Sequence, residues 1–92
     1  MNYRVAEIET PDGIYYTSRN NDRAPLKVVQ DGINGYNRGN HSPIYSSLAR
    51  HRVCLVRNIF EGLDKKQAES KKRVLIELAR SKGVPVLNRR QG

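Results

Sequence analysis

The chain has 92 residues, and its 17 Lys and Arg against 9 Asp and Glu leave a formal net charge of +8. This length supports a single hydrophobic core and one small domain, expected over residues 1–88 with a basic tail at 89–92. The charge favours a polyanionic partner, nucleic acid before an acidic protein surface, and the lone Cys54 excludes an internal disulfide and a cysteine-based zinc set.

The opening "MNYRVAEIET" lacks the basic start and apolar core of a secretory signal. No apolar run is long enough for a helical bilayer span. Cytoplasm is therefore the expected compartment, and no membrane partner is expected. Residues 3–9, "YRVAEIE", place Tyr3, Val5 and an offset Ile8 among polar residues, and "TPDG" follows with strong turn chemistry. With the run "IYYTSR" directly behind it, this stretch reads as a β-hairpin, because Asp-Gly supplies the positive backbone angles of a tight turn.

From Asn20 to Asn40 the chain holds five Asn and three Gly, with "APLKVVQDGI" the only helical pattern. Pro25 suits its first turn and Gly32 is expected to end it early. In "NHSPIYSSLARH", Ser42 is an N-cap candidate, Pro43 fits the first helical position, and Ile44, Leu48 and Tyr45 share a face, which predicts a helix over 43–51. The run "VCLVRNIF", 53–60, is β-branched and apolar on both faces, as in a strand covered on both sides. Gly62 is expected to break it. Asp64 and Gln67 have capping-box spacing for a last helix over 65–81, with Ala68, Leu75, Leu78 and Ala79 as its buried stripe and Gly83 and Pro85 as its stop. The order strand, strand, helix, helix, strand, helix predicts an α/β domain around a small antiparallel or mixed sheet.

His41 and His51 have no acidic or cysteine neighbours at metal-ligand spacing, so no metal is expected there. "DGINGYNRGN" has glycines without the Gly-Lys-Ser/Thr ending of a phosphate loop, and nucleotide hydrolysis has no support. Basic residues carry more information. Those of a solvated helix face and a basic tail account for about half of the positive charge. The rest mingle with Tyr15, Tyr16, Tyr36 and Tyr45 and with Asn, a mixture suited to phosphate contacts and aromatic stacking.

Several local motifs, in their order, resemble the GIY-YIG nuclease domain, especially its phage homing-endonuclease branch. "IYYTS" at 14–18 is similar to the second strand of that family, with Tyr15 at the tyrosine, Ser18 at the serine and Thr17 in place of glycine. "GNHSPIYSSLARH" resembles its His-Ser helix, "VRNIFEGL" its third strand, and "LIELARSKGVPVLN" its final helix with a closing Asn88. The resemblance implies a three-stranded antiparallel sheet flanked by helices, and DNA cleavage with one divalent metal. Four groups would be needed: a tyrosine on the first strand, the tyrosine of the second, an arginine on the first helix, and a metal-binding glutamate on the last. The metal would neutralise charge on the phosphoryl transition state and the arginine would steady the scissile phosphate.

Three of those positions differ here. Val5 or Tyr3 falls at the first tyrosine, Leu26 at the arginine, and Lys72 at the glutamate. With about 100° per residue, Lys72 lies about 40° from Ala68, on the edge of the apolar stripe and toward the sheet. A cation there repels a divalent metal and attracts a phosphate. Glu69, three residues upstream, is expected about 60° further round, toward solvent. The reading that follows is a noncatalytic nucleic-acid binder, DNA favoured, using Tyr15, Tyr16, Arg19, Arg23, Lys27, Lys71 and Lys72, with Asn88 supporting the pocket and no cofactor. One alternative is a phage-type effector or inhibitor that docks on an acidic host protein. A second is an active endonuclease dependent on Mg or Mn, with Tyr15, Arg23 (or Arg19) and Glu69 as displaced catalytic groups.

Overall fold

In the computed structural model, which describes residues 2–20 and 23–88, six elements follow one another: β1 (Tyr3–Thr10), β2 (Gly13–Arg19), α1 (Pro25–Asn37), α2 (Pro43–His51), β3 (Leu55–Leu63) and α3 (Lys65–Ser81). The strands form one antiparallel sheet in the order β2-β1-β3. This is the small β-β-α-α-β-α domain that the order of sequence patterns predicts. The basic tail expected at 89–92 and residues 21 and 22 of the Asn-rich stretch lie outside the described residues.

The hairpin closes where Asp-Gly predicts it, with Thr10 opposite Gly13. The Thr10 hydroxyl fixes the turn: it donates to the Gly13 carbonyl (3.1 Å) and accepts from the Asp12 amide (3.2 Å). A third bond, from the Ser47 hydroxyl at 2.8 Å, ties the turn to α2. Opposed residues of an antiparallel pair share a face, so Ile8, Tyr15 and Val56 lie on one side of the sheet. There they pack with Val28, Val29, Ile44, Leu48 and Cys54, which makes this side the main core under α1 and α2. The other side carries Ser18 and Phe60, which meet Glu69 and Lys71 of α3.

Four expectations need correction. Gly32 does not end α1, which runs five residues further to Asn37. The glycine instead permits close helix packing: a Cβ there would stand 2.5 Å from Leu48 Cδ1 and 2.6 Å from Leu48 Cβ. Gly62 does not end β3 either; it sits inside the strand with φ +69°.

The strand covered on both sides is β1, not β3. Val5 and Ile8 point to opposite faces and are 0% and 3% exposed, whereas β3 is an outer strand with Leu55 53% exposed. Apolar content misled because the central strand carries its own carboxylates and neutralises them locally: Arg57 of β3 donates to both Glu7 and Glu9 at 2.8 Å, and the Tyr16 hydroxyl donates to Glu7 at 3.2 Å. On α3 the buried positions are Ala68 and Ala79, while Leu78 is exposed. Small side chains let the helix lie close to the sheet, and Leu78 falls on the outer flank.

The α3 capping box forms as its spacing predicts, with the Gln67 amide donating to Asp64 Oδ1 (2.7 Å) and the Asp64 amide donating to Gln67 Oε1 (3.0 Å). Ser42 stands at the N-cap position of α2, but its hydroxyl makes no capping bond. Beyond α3, Gly83 takes φ +76° and turns the chain back along β2. Ile14 then donates to Pro85 O (3.0 Å) and Leu87 donates to Ile14 O (2.7 Å), so residues 85–87 run parallel to the outer edge of β2.

Candidate functional site

Beside the core, β2, α2 and α3 enclose a recess of about 580 Å³ whose wall includes Tyr15, Asn40, Ser42, Ile44, Tyr45, Glu69, Lys72, Arg73, Ile76, Arg80 and Asn88. A second recess of about 380 Å³ lies between β2, α1 and α2, bounded by Tyr15, Arg19, Arg23, Lys27, Asp31, Arg38 and Tyr45 among others. Tyr15, Ile44 and Tyr45 line both, so the two recesses adjoin at these side chains as the two halves of a candidate groove. Its walls hold the cations Lys72, Arg73 and Arg80 on one side and Arg19, Arg23, Lys27 and Arg38 on the other, against Glu69, Glu77 and Asp31.

Each functional side chain is placed by its element. Tyr15 and Arg19 are four apart on β2 and share the face toward α1 and α2. Along α3, Glu69, Lys72, Arg73, Ile76 and Arg80 recur at helical spacing and line one face. Asn88 is committed to the scaffold: its Oδ1 accepts from the Tyr16 amide (2.9 Å) and its Nδ2 donates to the Tyr16 carbonyl (2.8 Å). Arg80 in turn donates to Asn88 O at 2.9 Å. The side chain thus completes the strand-like pairing of residues 85–87 and holds the groove's wall on the edge of β2.

The electrostatics of the two recesses differ. In the second, Arg23 and Lys27 both pair with Asp31, Lys27 at 3.6 Å. Arg19 has no carboxylate partner among the described residues. Burial, then repulsion by the Arg23 guanidinium, holds its proton affinity below the usual arginine value. An anion entering beside Arg19 relieves both effects. In the first recess, Glu69 Oε1 accepts a 2.6 Å bond from the Ser18 hydroxyl and Glu69 Oε2 pairs with Lys72 Nζ at 2.9 Å. The Ser18 bond first and the Lys72 ammonium second hold the Glu69 carboxyl below the ordinary carboxylate range.

Glu69 therefore reaches the sheet through one oxygen while its side chain stays 43% exposed, so the solvent-facing position expected from helical rotation holds only in part. The Ser18 hydroxyl, two residues beyond Tyr16 on β2, supplies the partner that draws it in. Lys72 lies on the sheet side as its rotation predicts, with its side chain 28% exposed. Of the residues singled out in the sequence, Tyr15, Arg19, Arg23, Lys27, Lys72, Glu69 and Asn88 line the groove. Tyr16 and Lys71 lie elsewhere. Tyr16 is buried with its hydroxyl on Glu7, where burial and that carboxylate push its phenol up. The Lys71 ammonium stands 4.7 Å from the centre of the Phe60 ring.

Tyr45, one of the tyrosines noted in the sequence, lines both recesses, and Arg38, Arg73 and Arg80, which were not singled out, line one each. For Arg73 and Arg80 a signal was present: they fall one and eight residues after Lys72, on the same helical face. Among the described residues no group of three or more His, Cys, Asp or Glu side chains could hold a metal ion. Compared with known proteins, the chain matches no family model, no curated protein and no solved structure.

Proposed function

We propose that this is a GIY-YIG-like domain that binds nucleic acid without cleaving it, through the groove centred on Tyr15 and Tyr45. The observation that carries the reading is the convergence of seven cations from β2, the β2–α1 connection, α1, the turn after it and α3 on two adjoining recesses with an aromatic centre. Phosphates meet Arg19, Arg23 and Lys27 in one recess and Lys72, Arg73 and Arg80 in the other, and the tyrosine rings offer stacking or hydrogen bonding to bases. Tyr16 and Asn88 support the wall. Lys71, across α3 beside Phe60, adds to the basic field without lining the groove.

Cleavage is the second reading, because Tyr15, Arg23 and Glu69 all line the same groove. Against it stands the Lys72 ammonium, which already occupies one oxygen of Glu69, with Ser18 on the other. A divalent cation approaching that carboxylate meets a neighbouring positive charge and must displace both partners.

The test is fluorescence anisotropy of a labelled oligonucleotide across a salt series, beside supercoiled plasmid incubated with Mg and with Mn. Binding that weakens steeply with salt, with the plasmid intact, is the expected result, since each neutralised phosphate releases counterions. Metal-dependent nicking abolished by both Tyr15→Phe and Glu69→Gln contradicts the noncatalytic reading. Absence of binding at low salt contradicts the nucleic-acid reading.

A further inference from the structure

We infer that the groove takes a single strand, DNA or RNA, in preference to a duplex, with one base seated on the Tyr15–Tyr45 pair and the flanking phosphates in the two recesses. This deepens the proposed function and rests on it. The first ground is where the cations sit. Arg19 is partly buried and Lys72 has a side chain only 28% exposed, so both lie down in concave walls and not on a ridge. A duplex is stiff, with a persistence length of about 150 bp, and spans a recess of this size from rim to rim. A single strand bends into it.

The second ground is the aromatic centre. Tyr15 and Tyr45 are partly buried, pack against the core cluster and also line both recesses. A ring held this way is a stacking platform, and every base offers a face to it. In a duplex the base faces are consumed by neighbouring pairs. The third ground lies on the rim, where the loop between α1 and α2 contributes Arg38 to one recess and Asn40 and Ser42 to the other. Next to that loop, the Tyr36 ring at the end of α1 and the His41 ring stand 4.3 Å apart, with Tyr36 37% exposed, outside both recesses. The Ser42 hydroxyl, at the edge of the first recess, is buried and has no hydrogen-bond partner among the described residues.

The deciding experiment titrates the full chain against three labelled probes carrying one 12-nucleotide sequence without self-complementarity, as single-stranded DNA, as single-stranded RNA and as DNA paired to its complement in a hairpin-closed duplex, at one ionic strength. At least tenfold tighter binding of a single strand than of the duplex is expected. A 2-aminopurine base in the single strand should lose fluorescence on binding by wild-type protein, a readout of stacking that needs no variant. Tyr45→Leu, checked for an unchanged melting profile, should weaken single-strand binding about 5- to 150-fold. Tyr45→Phe should retain it. Duplex binding equal to or tighter than both single strands overturns the inference and leaves the nucleic-acid reading standing. Unchanged 2-aminopurine fluorescence in a saturated complex overturns the stacked base. Failure of all three probes to bind overturns both readings.

Discussion

Glu69 shows how far a residue's role depends on partners that its own position does not reveal. Helical rotation puts it on the solvent side of Lys72, but a 2.6 Å bond from Ser18 draws the carboxylate to the sheet. Its folded pKa is depressed by that bond and by Lys72, so its contribution to stability is present above the unfolded value near 4.5 and is lost as pH falls below it. Glu69→Gln should therefore lower stability at pH 7 by about 1 kcal/mol, discounted for partial exposure. It should also flatten the acid limb of a stability–pH curve; unchanged curves would remove this role. Lys72 was legible from the sequence because its position depends only on helical period. Glu69 was not, because its partner lies 51 residues away on another element. For binding, Lys72→Ala should remove one phosphate contact, lowering the slope of log K against log salt by about 0.7 to 0.9. An unchanged slope would take Lys72 out of the interface.

At the scale of elements, turn and cap chemistry was readable where it is local. Asp12–Gly13, Pro43 and the Asp64–Gln67 box act within a few residues and lie where their patterns predict. Gly32 was misread because a glycine in a helical pattern has two meanings, a stop or a close approach, and only the neighbouring Leu48 decides between them. Gly32→Ala gains about 1 kcal/mol of helix propensity, but its methyl would collide with the root of Leu48. We expect a net loss of about 1–3 kcal/mol in denaturant unfolding; a stabilised variant would contradict the packing account. The pairing of residues 85–88 with β2 had no sequence signal beyond the closing Asn88, since its bonds are made by backbone and by one amide side chain. Asn88→Ala should cost about 1–3 kcal/mol by leaving the Tyr16 amide and carbonyl without these bonds. Faster hydrogen exchange at the Tyr16 amide would report the opened edge, and unchanged exchange would refute it.

Across the whole molecule, composition favours a polyanionic partner without locating a surface for it. A net charge of +8 says that polyanions are favoured, and it is silent on which of the cations converge. The fold makes that selection. It brings Arg19, Arg23, Lys27, Lys72, Arg73 and Arg80 to one groove and leaves Lys65 and Lys66 exposed at the start of α3, outside both recesses. Strand placement was the least legible part. The β3 sequence is the more apolar of the two, yet β1 is central, and its Glu7 and Glu9 are met there by Arg57 across the sheet.

The measurement that tests the central claim most directly separates the groove from mere positive charge. Oligonucleotide affinity would be compared by anisotropy for wild type, for Arg19→Glu with Lys72→Glu, and for the charge-matched Lys65→Glu with Lys66→Glu, all three confirmed folded by circular dichroism. A groove that binds phosphates predicts a loss of at least tenfold more in the first pair than in the second. Equal losses would show that net charge alone attracts the nucleic acid and would contradict a binding site centred on Tyr15 and Tyr45.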